Sequence, residues 1–352
     1  MTAVPLDPGA VIGILGGGQL GRMLSMAAAR LGFRCHIYDP DLAAPAAQVA
    51  QSATHAGWED AAALESFSAA CDVVTYEFEN IPLVTLDALR APVHPGRRAL
   101  EVSQDRLTEK HFLADLGLRV APFEQVDDAA GLTQATAKLG DGILKTRRFG
   151  YDGKGQVRLP CPDPLDAIGN APAIVEALVP FEREISVIVA RAQDGQTVSY
   201  DPGENLHENG ILRRTTIPAS VAASVAAEAR EAATRIAAAL DYVGVLGVEL
   251  FVAPEGIVVN EIAPRVHNSG HWTMNGCAVD QFEQHIRAIA GWPLGDGARH
   301  ADVTMENLIG EEVAGVLRLA AAPGHALHLY GKAQVRSGRK MGHINRVSPL
   351  AR

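Results

Sequence analysis

Basic residues and long apolar runs are both scarce in this 352-residue chain. It has 31 Lys and Arg residues against 41 Asp and Glu residues, a formal net charge of −10 at neutral pH. Phosphate contacts need a surplus of basic residues, so this balance argues against a general nucleic-acid binder. The longest apolar runs reach about ten residues, well short of the roughly 20 needed to cross a bilayer. The sequence therefore predicts neither a nucleic-acid partner nor a membrane partner.

Cysteine is rare, and the N-terminal segment lacks the features of a signal peptide. Residues 1–10 contain no basic residue and include Asp7, so the charged and apolar regions of a signal peptide are missing. This predicts a cytoplasmic location. The four cysteines are too far apart in sequence for a C-x-x-C pair, which predicts reduced thiols at Cys35, Cys71, Cys161 and Cys277.

The length suggests two or three domains of roughly 100 to 200 residues each, and 47% hydrophobic residues suffice for their cores. In the first hundred residues, short apolar runs alternate with a helical pattern: strands at residues 11–15, 33–38 and 72–78 and a helix at 20–31. This alternation is typical of βαβ units and a parallel sheet. A Pro- and Gly-rich break at residues 91–98 predicts a domain boundary.

The rest of the chain gives a mixed pattern of strands and helices. Residues 103–116 are predicted to be helical, with Ser103 as a possible cap, and residues 220–240 form an Ala-rich amphipathic pattern. Residues 245–252 and 257–262 are predicted to form a hairpin around the turn sequence at 253–256. Further predicted strands lie at residues 143–146, 156–159, 173–176, 184–190, 313–319 and 326–330, before a basic segment at 332–343.

A glycine-rich loop, GGGQLG at residues 16–21, lies between the first predicted strand and helix. It fits the G-x-G-x-x-G pattern, and Asp39 follows the next strand, as in dinucleotide-binding sites. In physical terms the pattern indicates only that glycine permits close approach of the backbone to a ligand and that a helix N-terminus attracts an anion. A dinucleotide, another phosphate or nucleotide-like ligand, and a purely structural turn all remain open.

Two glutamates occupy equivalent positions on the predicted hairpin. Glu249 and Glu261 are equidistant from Glu255 in the turn, which would place them opposite each other with Cβ atoms roughly 5 Å apart. Like charges in this position need a neutralising group, and with Asn260 adjacent Mg²⁺ held together with nucleotide phosphates fits better than zinc. The alternative is a register shifted by one residue, in which the acids straddle the sheet and face water.

A second glycine-rich loop spans residues 145–156 and contains three glycines and four basic residues. It is not a P-loop, because a strand follows it, but its backbone amides could fold over phosphates. An ordinary exposed hairpin is the alternative. Downstream, Glu176 and Glu184 could bind a ribose or an adenine, or could lie at the surface.

A cluster of Arg, His and Asn follows the second acid of the hairpin. Arg265, His267, Asn268 and His271 lie within eleven residues of Glu261. A guanidinium and two imidazoles beside paired acids favour a site for an anion or a reactive intermediate.

Taken together, these motifs resemble the ATP-grasp carboxylate-amine ligases, and among them the family of the phosphoribosylaminoimidazole carboxylase ATPase subunit, also called 5-(carboxyamino)imidazole ribonucleotide synthase. The matching stretches are GGGQLGRML (16–24), YEFENIP (76–82), GYDGKGQ (150–156), NLHENGIL (205–212), NEIAPRVHNSGHW (260–272) and GRKMGHIN (338–345). The resemblance implies an α/β and α+β architecture in three parts. These are an N-terminal α/β domain with a parallel sheet (1–100), a two-lobed ATP-grasp domain (101–298) and a small C-terminal domain (299–352).

The resemblance also implies a reaction and a set of site residues. ATP and bicarbonate would carboxylate 5-aminoimidazole ribonucleotide through carboxyphosphate, in purine synthesis, with Mg²⁺ at Glu249 and Glu261. A homodimer is implied as well. Catalysis would involve Arg265, His267 and Lys332. ATP would contact Arg106, Lys145, Gly150, Tyr151, Asp152, Gly153, Lys154, Gly155, Glu176, Ala177, Leu178, Val179, Glu184, His207, Asn260 and Glu261. The ribonucleotide would contact Gln19, Leu20, Glu79, Tyr151, Asp152, Asn268, Lys332, Arg339 and Lys340.

Three other functions compete with this one. A formate-dependent ligase of the same fold, the glycinamide ribonucleotide transformylase, is the nearest, and the NSGHW run at residues 268–272 favours the bicarbonate enzyme over it. An oxidoreductase would leave the paired acids of the hairpin unexplained. A non-catalytic nucleotide sensor would need neither the paired acids nor the adjacent Arg and His.

Overall fold

A computed structural model describes residues 4–150 and 153–351. The N-terminal part is a four-stranded parallel sheet in the order β3-β2-β1-β4, as the alternating pattern predicts. Its strands are β1 (Val11–Leu15), β2 (Arg34–Tyr38), β3 (Ser52–Thr54) and β4 (Val73–Tyr76). Its helices are α1 (Gln19–Arg30), α2 (Ala61–Ala69), α3 (Leu83–Asp87) and α4 (Arg97–Ser103), with a 3₁₀ helix at Pro45–Gln48.

The next part is a small antiparallel sheet in the order β5-β8-β6-β7, the first lobe of the central region. It contains β5 (Phe123–Val126), β6 (Gly142–Thr146), β7 (Gln156–Arg158) and β8 (Ala173–Ala177). Its helices are α5 (Arg106–Asp115), α6 (Ala129–Leu139) and α7 (Pro164–Ala167). Gly153 and Gly155 in the β6–β7 connection have φ angles of +77° and +69°, a region that favours glycine.

A nine-stranded sheet forms the second lobe and continues into the C-terminal segment, in the order β14-β13-β9-β11-β12-β15-β17-β16, with β10 on β9. Its strands are β9 (Arg183–Arg191), β10 (Thr197–Ser199), β11 (Gly203–Glu208), β12 (Ile211–Ile217), β13 (Gly244–Ala253), β14 (Gly256–Ala263), β15 (Asp302–Ile309), β16 (His325–Leu329) and β17 (Lys340–Ser348). Its helices are α8 (Ala223–Ala239), α9 (Thr273–Gly276), α10 (Gln281–Ile289) and α11 (Val316–Ala320), with 3₁₀ helices at Asn268–Gly270 and Gly310–Gly315. The C-terminal strands thus extend the sheet of the second lobe.

Two predictions need correction. The helix expected at 103–116 is present as α5, but its cap is Asp105, which accepts a hydrogen bond from Leu107 N at 3.0 Å; Ser103 is instead the last residue of α4. The strand expected at 313–319 is helical, and its apolar side chains do not enter a sheet: Leu317 is 85% exposed.

Two apolar cores hold the parts together. The first joins the N-terminal sheet to the second lobe, since Ile14 and Leu24 pack in one cluster with Ile286 and Trp272. The second lies between α8 and the large sheet. The four cysteines are unpaired, as predicted. Among the described residues, no helix is both long and apolar enough to cross a membrane.

His285 connects the N-terminal sheet to the nine-stranded sheet through buried hydrogen bonds. Its Nδ1 accepts from Val245 N at 3.0 Å, so the ring proton is on Nε2, which donates to Thr75 Oγ1 at 2.8 Å. Both nitrogens are used by the neutral ring, and burial lowers the pKa of His285 to about 3. Protonation would therefore break the contact with Val245 N.

Acid is expected to destabilise the protein at pH values where most carboxylates are still ionised. Burial lowers the pKa of His36, His94, His267, His271, His285, His328 and His343. The unfolded chain takes up these protons below about pH 6.5, so unfolding is favoured as the pH falls, by about 1.4 kcal/mol per pH unit for each net proton. Urea unfolding at about pH 7 and about pH 5 measures the slope.

Groups whose pKa is raised in the folded protein release protons on unfolding over the same pH range, so they oppose this destabilisation by acid. Burial raises the pKa of Glu77, Glu109 and Glu249. Burial lowers the pKa of His207, but the hydrogen bond to Glu184 and the charges of Glu249 and Glu184 together outweigh burial and raise it overall. The histidines with lowered pKa outnumber them, so at least one net proton is expected to be taken up on unfolding. An unfolding free energy that is flat or rises on acidification would contradict this.

Candidate functional site

A cavity of about 660 Å³ lies between the N-terminal sheet and the two lobes. Its size is in the ordinary range for a ligand site. The predicted site residues that line it come from all three parts of the chain. They are Gln19, Leu20, Glu79, Arg106, Lys145, Gly150, Gly153, Lys154, Glu184, His207, Glu249, Asn260, Glu261, Arg265, His267, Asn268 and Lys340.

The turn of the β13–β14 hairpin does not have the register that the sequence arithmetic assumes. Ala253 pairs with Gly256, so the turn is centred half a residue before Glu255. If this register continued unbroken, Asn260 would lie opposite Glu249. The turn itself therefore has the shifted register that the sequence left open as the alternative.

A β-bulge restores the pairing of the two acids. Leu250 pairs with Val259, but the next pair is Glu249 with Glu261, so Asn260 is an extra residue in β14. The bulge lets Asn260 and Glu261, which are neighbours in sequence, line the cavity together with Glu249. The prediction that the two glutamates face each other is confirmed. The cause, however, is the bulge at Asn260 and not a turn centred on Glu255.

The two carboxyl groups have opposite electrostatic environments. Burial, followed by the negative charge of Glu261, raises the pKa of Glu249. Burial acts on Glu261 too, but Arg106 donates to its Oε2 at 2.8 Å and, with nearby Lys145, holds the pKa of Glu261 below its usual range. Glu261 is thus kept ionised by Arg106, whereas the charges of His207 and Lys340, which lower the pKa of Glu249, are outweighed by burial and by Glu261.

The oxygen donors around this pair fit magnesium bound together with phosphate. Asn260 Oδ1 is buried without a hydrogen-bond partner in the part of the chain that the structure describes, and it belongs to the bulge between the two acids. Over residues 4–150 and 153–351 no group of three or more His, Cys, Asp or Glu side chains could form a cage for a metal ion. Mg²⁺ typically binds through one or two carboxylates plus substrate phosphates, which is the arrangement that Glu249 and Glu261 offer.

A buried ionic cluster lies behind the cavity wall. Glu176 Oε2 accepts from Lys145 Nζ at 2.9 Å, and its Oε1 lies 3.3 Å from Lys110 Nζ, an ionic contact without hydrogen-bond geometry. Lys110 also donates to Asn260 O at 2.6 Å. Burial raises the pKa of Glu176, but the two lysines outweigh this and lower it overall. Lys110 carries no sequence signal, since it looks like an ordinary helical lysine of α5.

Aromatic side chains form another part of the wall. Phe181 and Phe251 stack with ring centroids 4.5 Å apart, and both line the cavity. Nearby, His207 Nδ1 and Glu184 Oε2 are 2.5 Å apart, a pair joining β11 to β9. Phe251 carries no sequence signal because a single aromatic residue in a strand is usually a core residue, and Phe181 lies in the connection before β9, where no motif singles it out.

The front glycine loop is filled by side chains of this chain. Glu77 accepts from Gly18 N at 2.7 Å and from Gly21 N at 3.1 Å, and Asp39 accepts from Gly17 N at 2.6 Å. The anion at this helix N-terminus is therefore Glu77, and Asp39 binds the loop itself. This geometry does not support a dinucleotide phosphate at these amides, although Gln19 and Leu20 still line the cavity.

Arg265 and His267 lie at the edge of the cavity nearest the paired acids. Arg265 makes a two-pronged contact with Glu79, through Nε at 2.5 Å and Nη2 at 3.1 Å. His267 Nε2 is 3.4 Å from Glu249 Oε1, and its Nδ1 is 2.8 Å from Ser269 Oγ. Burial, followed by the charge of Arg265, lowers the pKa of His267 to about 3, so the ring is neutral.

The predicted ribonucleotide residues divide into those inside the cavity and those beside it. Asn268 lines the cavity and exchanges two amide hydrogen bonds with Asn307, at 3.0 and 2.7 Å. Lys340 also lines it, whereas Lys332 lies next to Lys340 and donates to its carbonyl at 2.7 Å. Arg339 Nη1 donates to Gln334 O at 3.0 Å in the same segment.

Seven other predicted residues do not line the cavity: Gly155, Glu176, Ala177, Leu178, Val179, Lys332 and Arg339. Tyr151 and Asp152 lie outside the described residues. The roles assigned to all the predicted site residues stay predictions. Ile143 and Leu212 also line the cavity, although no sequence motif singles them out, and they extend its apolar wall.

Comparisons with known proteins agree along the chain. Residues 10–104 match the ribonucleotide synthetase preATP-grasp domain family, residues 111–282 the ATP-grasp domain family, and residues 304–351 the phosphoribosylaminoimidazole carboxylase C-terminal domain family. The N5-carboxyaminoimidazole ribonucleotide synthase of Brucella melitensis biotype 1 is 52% identical over 99% of both chains.

Two crystal structures are similar over nearly the whole chain. One is an N5-carboxyaminoimidazole ribonucleotide synthetase in complex with ADP, 42% identical, with a TM-score of 0.94 over 98% of this chain and 94% of that one. The other is an Aspergillus clavatus N5-carboxyaminoimidazole synthase in complex with ADP and 5-aminoimidazole ribonucleotide. It is 31% identical, with a TM-score of 0.90 over 97% of this chain and 95% of that one.

Proposed function

The chain belongs to the family of N5-carboxyaminoimidazole ribonucleotide synthases, ATP-dependent carboxylate-amine ligases of the ATP-grasp fold, and from this premise we propose how its cavity performs the reaction. That reaction is the ATP-dependent conversion of 5-aminoimidazole ribonucleotide to N5-carboxyaminoimidazole ribonucleotide in purine biosynthesis. The observation that supports the proposal most strongly is the pairing of Glu249 with Glu261 next to Arg265 and His267 in one cavity.

ATP is proposed to bind along the wall formed by the two lobes. Phe181 and Phe251 offer an apolar surface for the base, and Glu184 can accept a hydrogen bond from a ribose hydroxyl. Lys145 lies in the cavity wall as a cation for the phosphates, and the glycine loop around Gly153 can approach them closely. Glu176, behind Lys145, keeps that ammonium group oriented by their 2.9 Å hydrogen bond.

Magnesium is proposed to bind at Glu249 and Glu261. When bound, this ion would neutralise charge on the transferring phosphoryl group, as in other phosphoryl transfer enzymes. The pKa of Glu249 is raised by burial and by Glu261, so Glu249 is the acid with most to gain from a cation. Arg106 holds Glu261 in place by their 2.8 Å contact, which keeps this carboxylate ionised.

Bicarbonate is proposed to be activated beside Arg265 and His267. A bicarbonate oxygen takes the γ-phosphoryl group of ATP, which gives carboxyphosphate and ADP. The exocyclic amine of the ribonucleotide then attacks the carboxyl carbon, phosphate leaves, and the amine loses a proton. Arg265, held by Glu79, can bind the anionic intermediate, and neutral His267 can donate a hydrogen bond from Nε2.

The experiment that tests this function measures ADP release with each set of substrates. ADP should form rapidly only when ATP, Mg²⁺, bicarbonate and 5-aminoimidazole ribonucleotide are all present, and carbon-13 from labelled bicarbonate should appear in the product carbamate. Formate with glycinamide ribonucleotide tests the nearest alternative ligase. Reduction of NAD with a hydroxy acid, without ATP turnover, would overturn the proposal.

Arg339→Ala is expected to weaken ribonucleotide binding selectively. The proposal gives Arg339 a charge-assisted contact with the substrate phosphate of about 1.5 to 3 kcal/mol. The KM for the ribonucleotide should therefore rise by roughly tenfold to a hundredfold, while the KM for ATP changes little. Arg336→Ala is the matched control, since Arg336 is an exposed arginine of the same segment. Equal effects on both KM values would indicate a structural role for Arg339.

We further propose that the protein is a cytoplasmic homodimer, which is the form the family resemblance implies. The net charge of −10 and the absence of a membrane-spanning helix among the described residues are compatible with this location. Light scattering after size exclusion would give the mass: a value near twice 37.2 kDa supports a dimer.

A further inference from the structure

The buried side-chain amide of Gln281 forms hydrogen bonds with both the N–H and the C=O group of His267. The side chain of Gln281, the first residue of α10, is fully buried. Its Nε2 donates to His267 O at 2.8 Å, and its Oε1 accepts from His267 N at 2.9 Å. His267 itself lies between β14 and the following 3₁₀ helix, where no strand partner fixes these groups. Gln281 therefore anchors the loop at this residue.

The orientation of this amide is fixed by its surroundings. The second proton of Gln281 Nε2 points to His271 Nδ1, 3.0 Å away. Turning the amide over would place its oxygen against both His267 O and the His271 lone pair. The other side is closed too, because a Cβ at Gly270 would lie only 2.5 Å from Gln281 Oε1. Only one position of the amide satisfies all its contacts.

The anchored residue is the one whose imidazole needs an accurate position. His267 Nε2 lies 3.4 Å from Glu249 Oε1 and faces the cavity that would hold the reactive intermediate. A displacement of a positioning group by about 1 Å can cost roughly a hundredfold in rate. The position of α10 would thus be transmitted to His267 through a single side chain.

We infer that Gln281 is a positioning residue for the reaction, acting through the main chain of His267. It does not line the cavity and so does not touch the substrates. The inference rests on the proposed role of His267 in holding the carboxylated intermediate. Its consequence is that loss of Gln281 separates ATP cleavage from product formation, because the intermediate is formed but no longer held for the amine.

The same helix offers a matched control. Gln284, three residues further along α10, is also fully buried and holds a main chain in the same way. Its Nε2 donates to Gly295 O at 2.8 Å, and its Oε1 accepts from Gly295 N at 2.8 Å. Neither Gln284 nor Gly295 lines the cavity. Replacing either glutamine by Met removes the same number of main-chain contacts from a buried amide of similar size.

The experiment compares Gln281→Met, Gln281→Glu, Gln284→Met and His267→Ala with the wild type. ADP and labelled product are measured in the same reaction, and their ratio does not depend on how much of a variant is folded. For Gln281→Met, product formation should fall by roughly tenfold to a hundredfold, with the KM for ATP nearly unchanged. The ratio of ADP to product should rise severalfold, as it should for His267→Ala, and stay near the wild-type value for Gln284→Met.

Gln281→Glu keeps the size and polarity of the side chain and serves if the Met variant does not fold. It loses both Nε2 hydrogen bonds, so its ADP to product ratio should rise as well. A ratio that stays at the wild-type value in either folded Gln281 variant, or that rises equally in Gln284→Met, would overturn the inference. The proposed function is tested separately, because a wild type that forms no labelled product would contradict the reaction itself.

Discussion

Glu249→Gln and Glu261→Gln should each reduce ATP turnover by about a hundredfold or more. Each change removes one negative charge from a pair proposed to hold a doubly charged cation, and metal stabilisation of a phosphoryl transition state contributes several kcal/mol. Because Gln keeps the size of the side chain, the hairpin should still form. Steady-state ADP release at saturating Mg²⁺ measures the loss.

The two variants should differ in stability when no metal is present. Glu249→Gln relieves the repulsion that, with burial, raises the pKa of Glu249, so its melting temperature should equal or exceed that of the wild type. Glu261→Gln takes away the partner of Arg106, and because that carboxylate is partly exposed the loss should be about 1 kcal/mol. The sequence alone suggests that the two variants have the same stability without metal. The contact of Glu261 with Arg106 predicts instead that only Glu261→Gln is less stable than the wild type.

Thermal melts with and without Mg·ADP provide the decisive comparison. The wild type should gain stability from the ligand by ordinary linkage, and both variants should gain much less. Glu255→Gln is the control on the same hairpin, because Glu255 is in the turn and its side chain is 81% exposed. If either acid variant keeps the full ligand-induced shift, the metal does not bind at these two glutamates.

The hairpin also shows how far sequence can predict a site. The pairing of Glu249 with Glu261 is correct, but the arithmetic assumes a turn centred on Glu255 and an unbroken ladder. The structure has a two-residue turn and an extra residue, Asn260, which together give the same pairing. A bulge has no reliable pattern in a single sequence, because it depends on which side chains the neighbouring strands accept.

The parts that sequence did not predict depend on contacts between distant segments. For the glycine loop at residues 16–21 the sequence left a bound phosphate and a structural turn open, and the amide of Gly21 in fact binds Glu77, 56 residues further along the chain. Gln281 lies 14 residues after His267, whose main chain it anchors, on another element. Periodicity predicts strands and helices, whereas these contacts follow from how the elements pack.

The ionic cluster behind the cavity gives the prediction with the largest expected effect on stability. Glu176 is 4% exposed and lies between Lys145 and the fully buried Lys110. Burial lowers the pKa of Lys110, and the charge of Glu176 opposes that effect. Removing one partner of a buried pair leaves an uncompensated charge and typically costs about 3 to 5 kcal/mol. Glu176→Gln should therefore lower the free energy of unfolding in urea by about 3 kcal/mol or more.

An exposed pair of the same lobe is the control for this change, because Lys138 and Glu124 form an ion pair at the surface. Glu124→Gln should cost less than about 1 kcal/mol. Adding Lys110→Met to Glu176→Gln should recover part of the loss, since Met fills the same volume without a charge to bury. If Glu176→Gln costs no more than Glu124→Gln, water must reach the two lysines, and Glu176 would not be what keeps Lys145 aimed at the phosphates.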